Sequence, residues 1–207
     1  MPPTEKKTKL MRRYLSFSIQ LQKGLIIKLA IYGGSFDPPH IGHIAIIEAA
    51  LKTLDIDKLL IIPTYLNPFK SEVYADALLR LKWMQKLTAN YDKVEVLDIE
   101  SSQNEPSPTF KTLSKLKLLY NFTQKPYLII GADNLEHLHK WYKYDQLKED
   151  VTFVVASRKN FKQEHSYLHL DVHCDISSSS LRKKLKNEEL PALLADEIMS
   201  FYKEKNA

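Results

Sequence analysis

Two hydrophobic rhythms alternate along this 207-residue chain. Short, almost unbroken apolar runs rich in branched side chains fall at Leu25–Tyr32 (LIIKLAIY), Lys58–Pro63, Lys93–Leu97, Tyr127–Ile130 and Val151–Ala156, and such runs predict buried strands. Between them, apolar residues recur every three or four positions over His43–Leu54, Ala77–Ala89, Thr109–Tyr120 and Ser178–Lys186, the period of a helix with one buried face. Tyr167–His173 adds a short late strand, and Ala192–Lys203 reads as a closing amphipathic helix. Strand and helix in regular alternation imply a parallel sheet wrapped on both faces, a doubly wound α/β fold of Rossmann-like type. No internal repeat or low-complexity tract interrupts the pattern.

A hydrophobic content of 44% over this length suffices for one well-buried domain, which the pattern places at 25–207. Charge changes the picture only at the start. Met1–Lys28 holds seven Lys and Arg against Glu5 alone, so the rest of a chain with net charge +5 is close to neutral. A basic face for nucleic acid, expected on the folded domain, is therefore not supported. Residues 1–24 read as a basic N-terminal extension, either a flexible arm or the product of an upstream start, with the natural chain beginning near Met11 or later. They lack the uninterrupted apolar core, roughly 7 to 15 residues, of an export signal. No run is long enough to span a membrane. The single Cys174 excludes an internal disulfide and fits a reducing cytoplasm. A helix-rich surface could carry a homo-oligomer contact, which nothing in the sequence specifies.

Candidate chemistry gathers first at Gly33–His43 (GGSFDPPHIGH), between the first strand and the first helix. Gly33 and Gly34 allow the backbone to approach a ligand closely, and Pro38 and Pro39 stiffen the entry to the helix. Free N–H groups at the helix start then face an anion. His40 and His43, three apart, share a helix face, and Gly42 leaves their approach open. Imidazole beside phosphate is favoured in its charged form, so both rings are expected to donate hydrogen bonds and offset charge that builds in a transition state. Surface histidines or a metal pair are the plainer readings of this spacing. His165, His169, His173 and Cys174, with His137 and His139, also offer ligand types suited to zinc, but strand geometry sets His169 and His173 on one face and Cys174 on the other.

GGSFDPPHIGH resembles, over its full length, the G-[ST]-F-D-P-x-H-x-G-H signature of the nucleotidyltransferase superfamily, whose members join a nucleoside triphosphate to a small phosphate ester. The resemblance implies that Gly33, Gly34, Ser35 and Phe36 cradle the triphosphate while His40 and His43 stabilise the α-phosphate under attack. Ile176–Arg182 (ISSSSLR) offers a second helix start, capped by Ser177 or Ser178, with an arginine in its second turn suited to forked contacts with phosphate. By itself it reads equally as a capped surface helix. It is similar to the I-S-S-[TS]-x-[IL]-R element that partners the histidine loop in the same superfamily, with Ser179 where threonine is usual. Ile176, Ser177, Ser178 and Arg182 are thereby implied in ATP binding.

The middle of the chain narrows the resemblance. Leu128–Tyr144 (LIIGADNLEHLHKWYKY) pairs a strand ending at Gly131 with Asp133, which would sit near a ribose at the carboxyl end of a parallel sheet, and with the aromatic residues Trp141, Tyr142 and Tyr144. The segment resembles the I-I-G-x-D-x-L-x-x-x-x-x-W-Y-x-Y pattern of bacterial nicotinate-nucleotide adenylyltransferases. That family stacks its tryptophan on the pyridine ring and receives the nicotinate carboxylate on backbone N–H groups near the tyrosine and an upstream threonine. PSPTFKTL at Pro106–Leu113 is similar to the family's P-S-x-T-x-x-T-L segment and puts the threonine at Thr109. PTYLNPFK at Pro63–Lys70 aligns with P-x-x-x-P-P-H-[KR]; Asn67 and Phe69 depart from it, while Lys70 supplies the cation. Arg158, after the strand FVVASR, falls where the family carries a basic residue.

The resemblance implies transfer of the adenylyl group of ATP to nicotinate mononucleotide in NAD biosynthesis, releasing pyrophosphate. His40, His43, Lys70 and Arg182 would be catalytic. Gly33, Gly34, Ser35, Phe36, Gly131, Asp133, Ile176, Ser177 and Ser178 would hold ATP, and Ser35, Lys70, Thr109, Trp141 and Tyr142 the acceptor. Mg²⁺ would bind mainly through phosphates, with no protein metal site. Nicotinamide mononucleotide or another phosphate ester such as phosphopantetheine or glycerol phosphate is an alternative acceptor, and a non-catalytic nucleotide-binding module the alternative of another class.

Overall fold

The computed structural model describes residues 26–66, 73–103, 105–157, 167–172, 174 and 176–206. The N-terminal extension, Asn67, Phe69, Lys70, Arg158, His165 and His173 lie outside the described residues. Six strands form one parallel sheet: β1 (Leu29–Gly34), β2 (Lys58–Pro63), β3 (Val94–Val96), β4 (Tyr127–Gly131), β5 (Thr152–Ser157) and β6 (Leu168–Asp171), in the spatial order β3-β2-β1-β4-β5-β6. The helices are α1 (Ile41–Thr53), α2 (Ala77–Thr88), α3 (Thr109–Leu119), α4 (Tyr144–Asp150), α5 (Ser178–Lys183) and α6 (Ala195–Asn206). This is the doubly wound Rossmann-like fold expected from the alternation. Successive strands leave β1 in opposite directions, β2 on one side and β4 on the other, so the order reverses between them, and a crevice opens beyond their carboxyl ends.

Period-two alternation sorts the strand residues into two cores. Leu29, Ile31, Leu60, Ile62, Leu128, Ile130, Phe153 and Val155 face α3, packing on Leu113 and Leu116. Ala30, Tyr32, Leu59, Ile61, Ile129, Val154 and Ala156 face α1 and α2, on Ile47, Ala50 and Met84. A third cluster, Trp83, Leu181, Leu190, Leu194, Ile198 and Tyr202, docks the C-terminal helices onto α2. At the start of α2, Asp76 accepts the Leu79 N–H (2.8 Å), a cap worth about 1 kcal/mol.

Several bounds differ from the sequence reading. β1 begins at Leu29 and runs on to Gly34, because Ile27 instead donates its N–H to Asn121 O (3.1 Å) outside the sheet. The helix predicted over Ser178–Lys186 stops at Lys183, where Lys184 turns extended (φ −146°, ψ 93°). A 3₁₀ turn at Ala192–Leu194 precedes α6, which continues to Asn206. The 3₁₀ helix Ala132–Lys140 and α4 were not anticipated; Leu135 and Leu138 sit three apart, a tighter spacing than an α-helical stripe gives.

Candidate active site

The loop after β1 is held from beneath. Phe36 adopts a left-handed backbone (φ 50°), strained by roughly 1–3 kcal/mol for a bulky residue, and its buried ring packs edge-on against Tyr32 (5.5 Å) and His43 (4.9 Å). Asp37, joined to Pro38 by a cis peptide, is buried, and its carboxylate accepts the N–H groups of Tyr74 (2.9 Å) and Ala75 (3.0 Å) and the Tyr202 hydroxyl. Arg80 is fully buried and donates to three carbonyls: Ser35 (2.5 Å), Tyr65 (2.8 Å) and Ala75 (2.9 Å). The sequence reading missed both clamps. Arg80 had a readable signal, since Ala77, Arg80, Leu81 and Met84 share the core-facing stripe of α2 and a cation there demands partners.

His40 caps α1, and its ring stacks on that of His43 with centroids 3.7 Å apart. The His43 N–H donates to His40 O (2.9 Å), and the His40 N–H donates to His43 Nδ1 (3.1 Å). With Nδ1 engaged by the backbone, Nε2 is the ring nitrogen through which His43 can donate. Any Cβ at position 42 would lie 2.9 Å from His40 Nδ1 and 3.2 Å from Cys174 Sγ, so glycine is what lets the stacked pair form.

Two cavities open at the carboxyl ends of β1 and β4. The larger, about 230 Å³, is lined by Gly33–Phe36, His40, His43, Gly131, Asp133, Ser157, Cys174 and Ile176–Ser179. Ser177 caps α5 by accepting the Ser180 N–H (3.1 Å), and the Ser178 hydroxyl donates to Pro38 O (2.9 Å), which ties the two distant segments together. The smaller cavity, about 120 Å³, lies on the α3 side and shares Gly33, Gly34, Gly131 and Asn134 with the first. Its walls include Ile62, Leu128, Thr109 and Trp141. Thr109 opens α3 behind Pro108, which supplies no side-chain cap; Pro108 O accepts the Lys111 N–H (2.9 Å), and the Thr109 and Phe110 N–H groups before it have no intrahelical acceptor. Trp141 Nε1 is buried with no hydrogen-bond partner among the described residues.

Glu100 also lines the smaller cavity and is only 5% exposed. Its carboxylate accepts the Thr112 hydroxyl (2.5 Å), and Ser107 Oγ lies 3.4 Å from Thr112 Oγ1. Burial pushes the Glu100 carboxyl up to about 7, against the opposing pull of Thr112 and Lys115.

Residues 31–184 match the cytidylyltransferase-like family. The chain is 48% identical over 177 residues to the probable nicotinate-nucleotide adenylyltransferase of a Nitratiruptor species, covering 86% of this chain and 99% of that one. It is 49% identical to the probable nicotinate-nucleotide adenylyltransferase of Sulfurimonas denitrificans, over 86% and 96% of the two chains. The chain belongs to the nicotinate-nucleotide adenylyltransferase family. The adenylyltransferase fold is similar to that of Plasmodium falciparum nicotinic acid mononucleotide adenylyltransferase complexed with NaAD, with TM-score 0.67 and 23% identity over 86% of this chain and 96% of that one.

In this adenylyltransferase the larger cavity gathers Gly33, Gly34, Ser35, Phe36, His40, His43, Gly131, Asp133, Ile176, Ser177 and Ser178, all anticipated for ATP. The smaller one gathers Thr109 and Trp141. Two anticipated residues line neither cavity. Arg182 donates to Asp37 O and to Ser179 Oγ (3.1 Å), pairs with Asp37 Oδ2 (3.9 Å) and lies over the Tyr74 ring (5.1 Å). Tyr142 is 51% exposed and packs edge-on against Phe110 (6.2 Å). Among the described residues no three His, Cys, Asp or Glu side chains are grouped to hold a metal. No described helix is long and apolar enough to cross a membrane.

Proposed function

We propose that this adenylyltransferase moves the adenylyl group of ATP onto nicotinate mononucleotide, giving nicotinate adenine dinucleotide and pyrophosphate. The observation that carries the reading is the pair of abutting cavities, one polar with the histidine pair and one partly apolar with an indole, sharing Gly33, Gly34, Gly131 and Asn134. Group transfer between two bound nucleotides needs such adjacency. ATP takes the larger cavity with its triphosphate on the Gly33–Phe36 loop and the N-terminus of α1. The acceptor takes the smaller, its pyridine ring on Trp141 and its carboxylate on the N–H groups at Thr109 and near Tyr142. Asp133 meets a ribose, and Ile176–Ser178 close over the phosphates.

A phosphate oxygen of the acceptor attacks the α-phosphorus in line; the new P–O bond forms as the bond to the bridging oxygen breaks, and the electron pair leaves on pyrophosphate. No covalent enzyme intermediate is required. Positioning and charge stabilisation supply the rate. The His43 Nε2–H and His40 offset charge on the transferred phosphoryl group. Lys70 and Arg182 are the cations assigned to the phosphates, Arg182 by exchanging Ser179 for a phosphate oxygen. ATP enters as its Mg²⁺ complex, a substrate whose ion is carried on triphosphate oxygens and water and neutralises charge there. The lone Cys174 and the need for ATP favour a cytoplasmic reaction.

Pyrophosphate release from ATP, measured with each acceptor in turn, tests the reading. Nicotinate mononucleotide should give the highest kcat/KM. Better use of nicotinamide mononucleotide, phosphopantetheine or glycerol phosphate would reassign the acceptor, and ATP binding without turnover on any of them would make the chain a binding module.

A further inference from the structure

The proposed reaction gives Glu100 no role. It is the one charged side chain among the described residues lining the smaller cavity, where it meets Thr112 of α3 and shares the lining with Thr109 and Trp141. A carboxyl this buried, 5% exposed, is costly in its ionised form, and a simple structural role would be filled by an amide of the same shape. Its acceptor bond from Thr112 (2.5 Å), with Ser107 behind (3.4 Å), fixes it at the wall rather than letting it turn to solvent.

We propose that Glu100 is a specificity-determining residue of the acceptor cavity, whose charge sets the preference between a pyridine nucleotide bearing a carboxylate and one bearing a carboxamide. This rests on the acceptor assignment above. When protonated, Glu100 leaves the cavity wall neutral and the acceptor's carboxylate enters unopposed. When ionised, it puts a second negative charge in a poorly solvated space, where like charges oppose each other strongly. The carboxamide is neutral and loses nothing. The glycosidic pyridinium charge and the titrating phosphate are common to both acceptors and cancel in the ratio of their kcat/KM values.

Burial places the Glu100 transition near neutrality, about 7, so the effect falls in an accessible range. The groups that act on the carboxyl are Thr112 and Lys115, both from α3; the Lys115 ammonium is held by Gln103 Oε1 (2.6 Å). The other lining residues of the cavity, among them Thr64, Thr109, Asn134 and Trp141, carry no charge.

The test is the ratio of kcat/KM for nicotinate mononucleotide to that for nicotinamide mononucleotide, from pH 5.5 to 9, in wild type, Glu100→Gln and Thr112→Val. The wild-type ratio should fall on the order of tenfold as pH rises through the transition. In Glu100→Gln it should stay high and flat. Thr112→Val removes the donor that favours the ionised carboxylate, so its inflection should move to higher pH. Should Glu100→Gln fail to fold, the Thr112→Val shift and calorimetry of wild type decide. Near pH 7.5, binding of nicotinate mononucleotide should take up more proton than binding of the amide, read from buffers of different ionisation enthalpy; equal uptake overturns the proposal. A pH-independent wild-type ratio, or an unaltered profile in Glu100→Gln, overturns the proposal while leaving the acceptor assignment intact. Turnover with neither acceptor would instead overturn the assignment.

Discussion

At the scale of single residues, the site is built from polar groups whose partners fix what they can do. His43 is the clearest case, because the backbone N–H of His40 occupies its Nδ1 and leaves Nε2–H as the donor. Replacing His43 with Ala should lower kcat by about 10² or more with a smaller change in KM for ATP, the scale of one lost transition-state donor. Steady-state pyrophosphate release measures it, and near wild-type turnover would remove the histidine from the chemistry. Glu100 supplies a stability prediction of defined sign. Its carboxyl is raised from the usual 4.5 to about 7, so between those values the folded chain binds more proton than the unfolded one and stability falls as pH rises. The penalty is absent below pH 4.5 and complete above 7, on the order of 3 kcal/mol. Denaturant unfolding of Glu100→Gln should therefore show a gain over wild type at pH 8.5 that vanishes near pH 4.5. A gain that does not vary with pH would mean that the carboxyl titrates normally. Much of this scale was legible: His40, His43, Gly33, Gly34, Ser177, Ser178, Thr109 and Trp141 all line the cavities. The supporting charges were not. Asp37 finds its partners 37, 38, 145 and 165 positions away, and local spacing carries no trace of such distances.

Among the elements, the strands and long helices followed from hydrophobic period because each is sandwiched or half-buried, and burial writes the pattern. What escaped was shorter than a full period. The Ala132–Lys140 3₁₀ helix buries only Leu138, and α4 buries only Leu147, so neither leaves a stripe. Yet the first of these carries the chain from Gly131 to Trp141 and sets the indole in the smaller cavity. The C-terminal α6 does comparable work for the loop after β1. Tyr202, buried in the third cluster, donates its hydroxyl to the Asp37 carboxylate, coupling the last helix to the loop it never touches in sequence. Tyr202→Phe keeps the ring and removes the donor, and should cost about 1.5–3 kcal/mol, the range for a bond to a charged group. Tyr91→Phe, whose hydroxyl meets the exposed Glu48 (2.9 Å), is the control and should cost less than about 1 kcal/mol. Equal losses in the two variants, by urea denaturation, would show that the Asp37 contact contributes no more than a surface one.

For the molecule as a whole, strand order determines what can meet what. Because β1 and β4 are neighbours with crossovers leaving in opposite directions, the histidine loop on one face and the α3 start on the other converge at the same crevice, although they lie far apart in the chain. Alternation alone implied a parallel doubly wound sheet; it did not state the order β3-β2-β1-β4-β5-β6, which long-range pairing decides. That order also separates the chain's two tryptophans into distinct surroundings. Trp141 lines the smaller cavity, whereas Trp83 is wholly buried in the C-terminal cluster with its Nε1–H on Glu197 (2.9 Å). A pyridinium ring stacked on an indole quenches its emission by close contact, so each tryptophan reports a different part of the molecule. Nicotinate mononucleotide should quench the fluorescence of the wild-type chain and leave that of Trp141→Phe unchanged, since Trp83 alone then emits from a place no acceptor can reach. A non-hydrolysable ATP analogue, bound in the neighbouring cavity, should leave the Trp141 emission largely intact. Equal quenching of wild type and Trp141→Phe by the acceptor would place the pyridine ring elsewhere and separate the two cavities from the two substrates assigned to them.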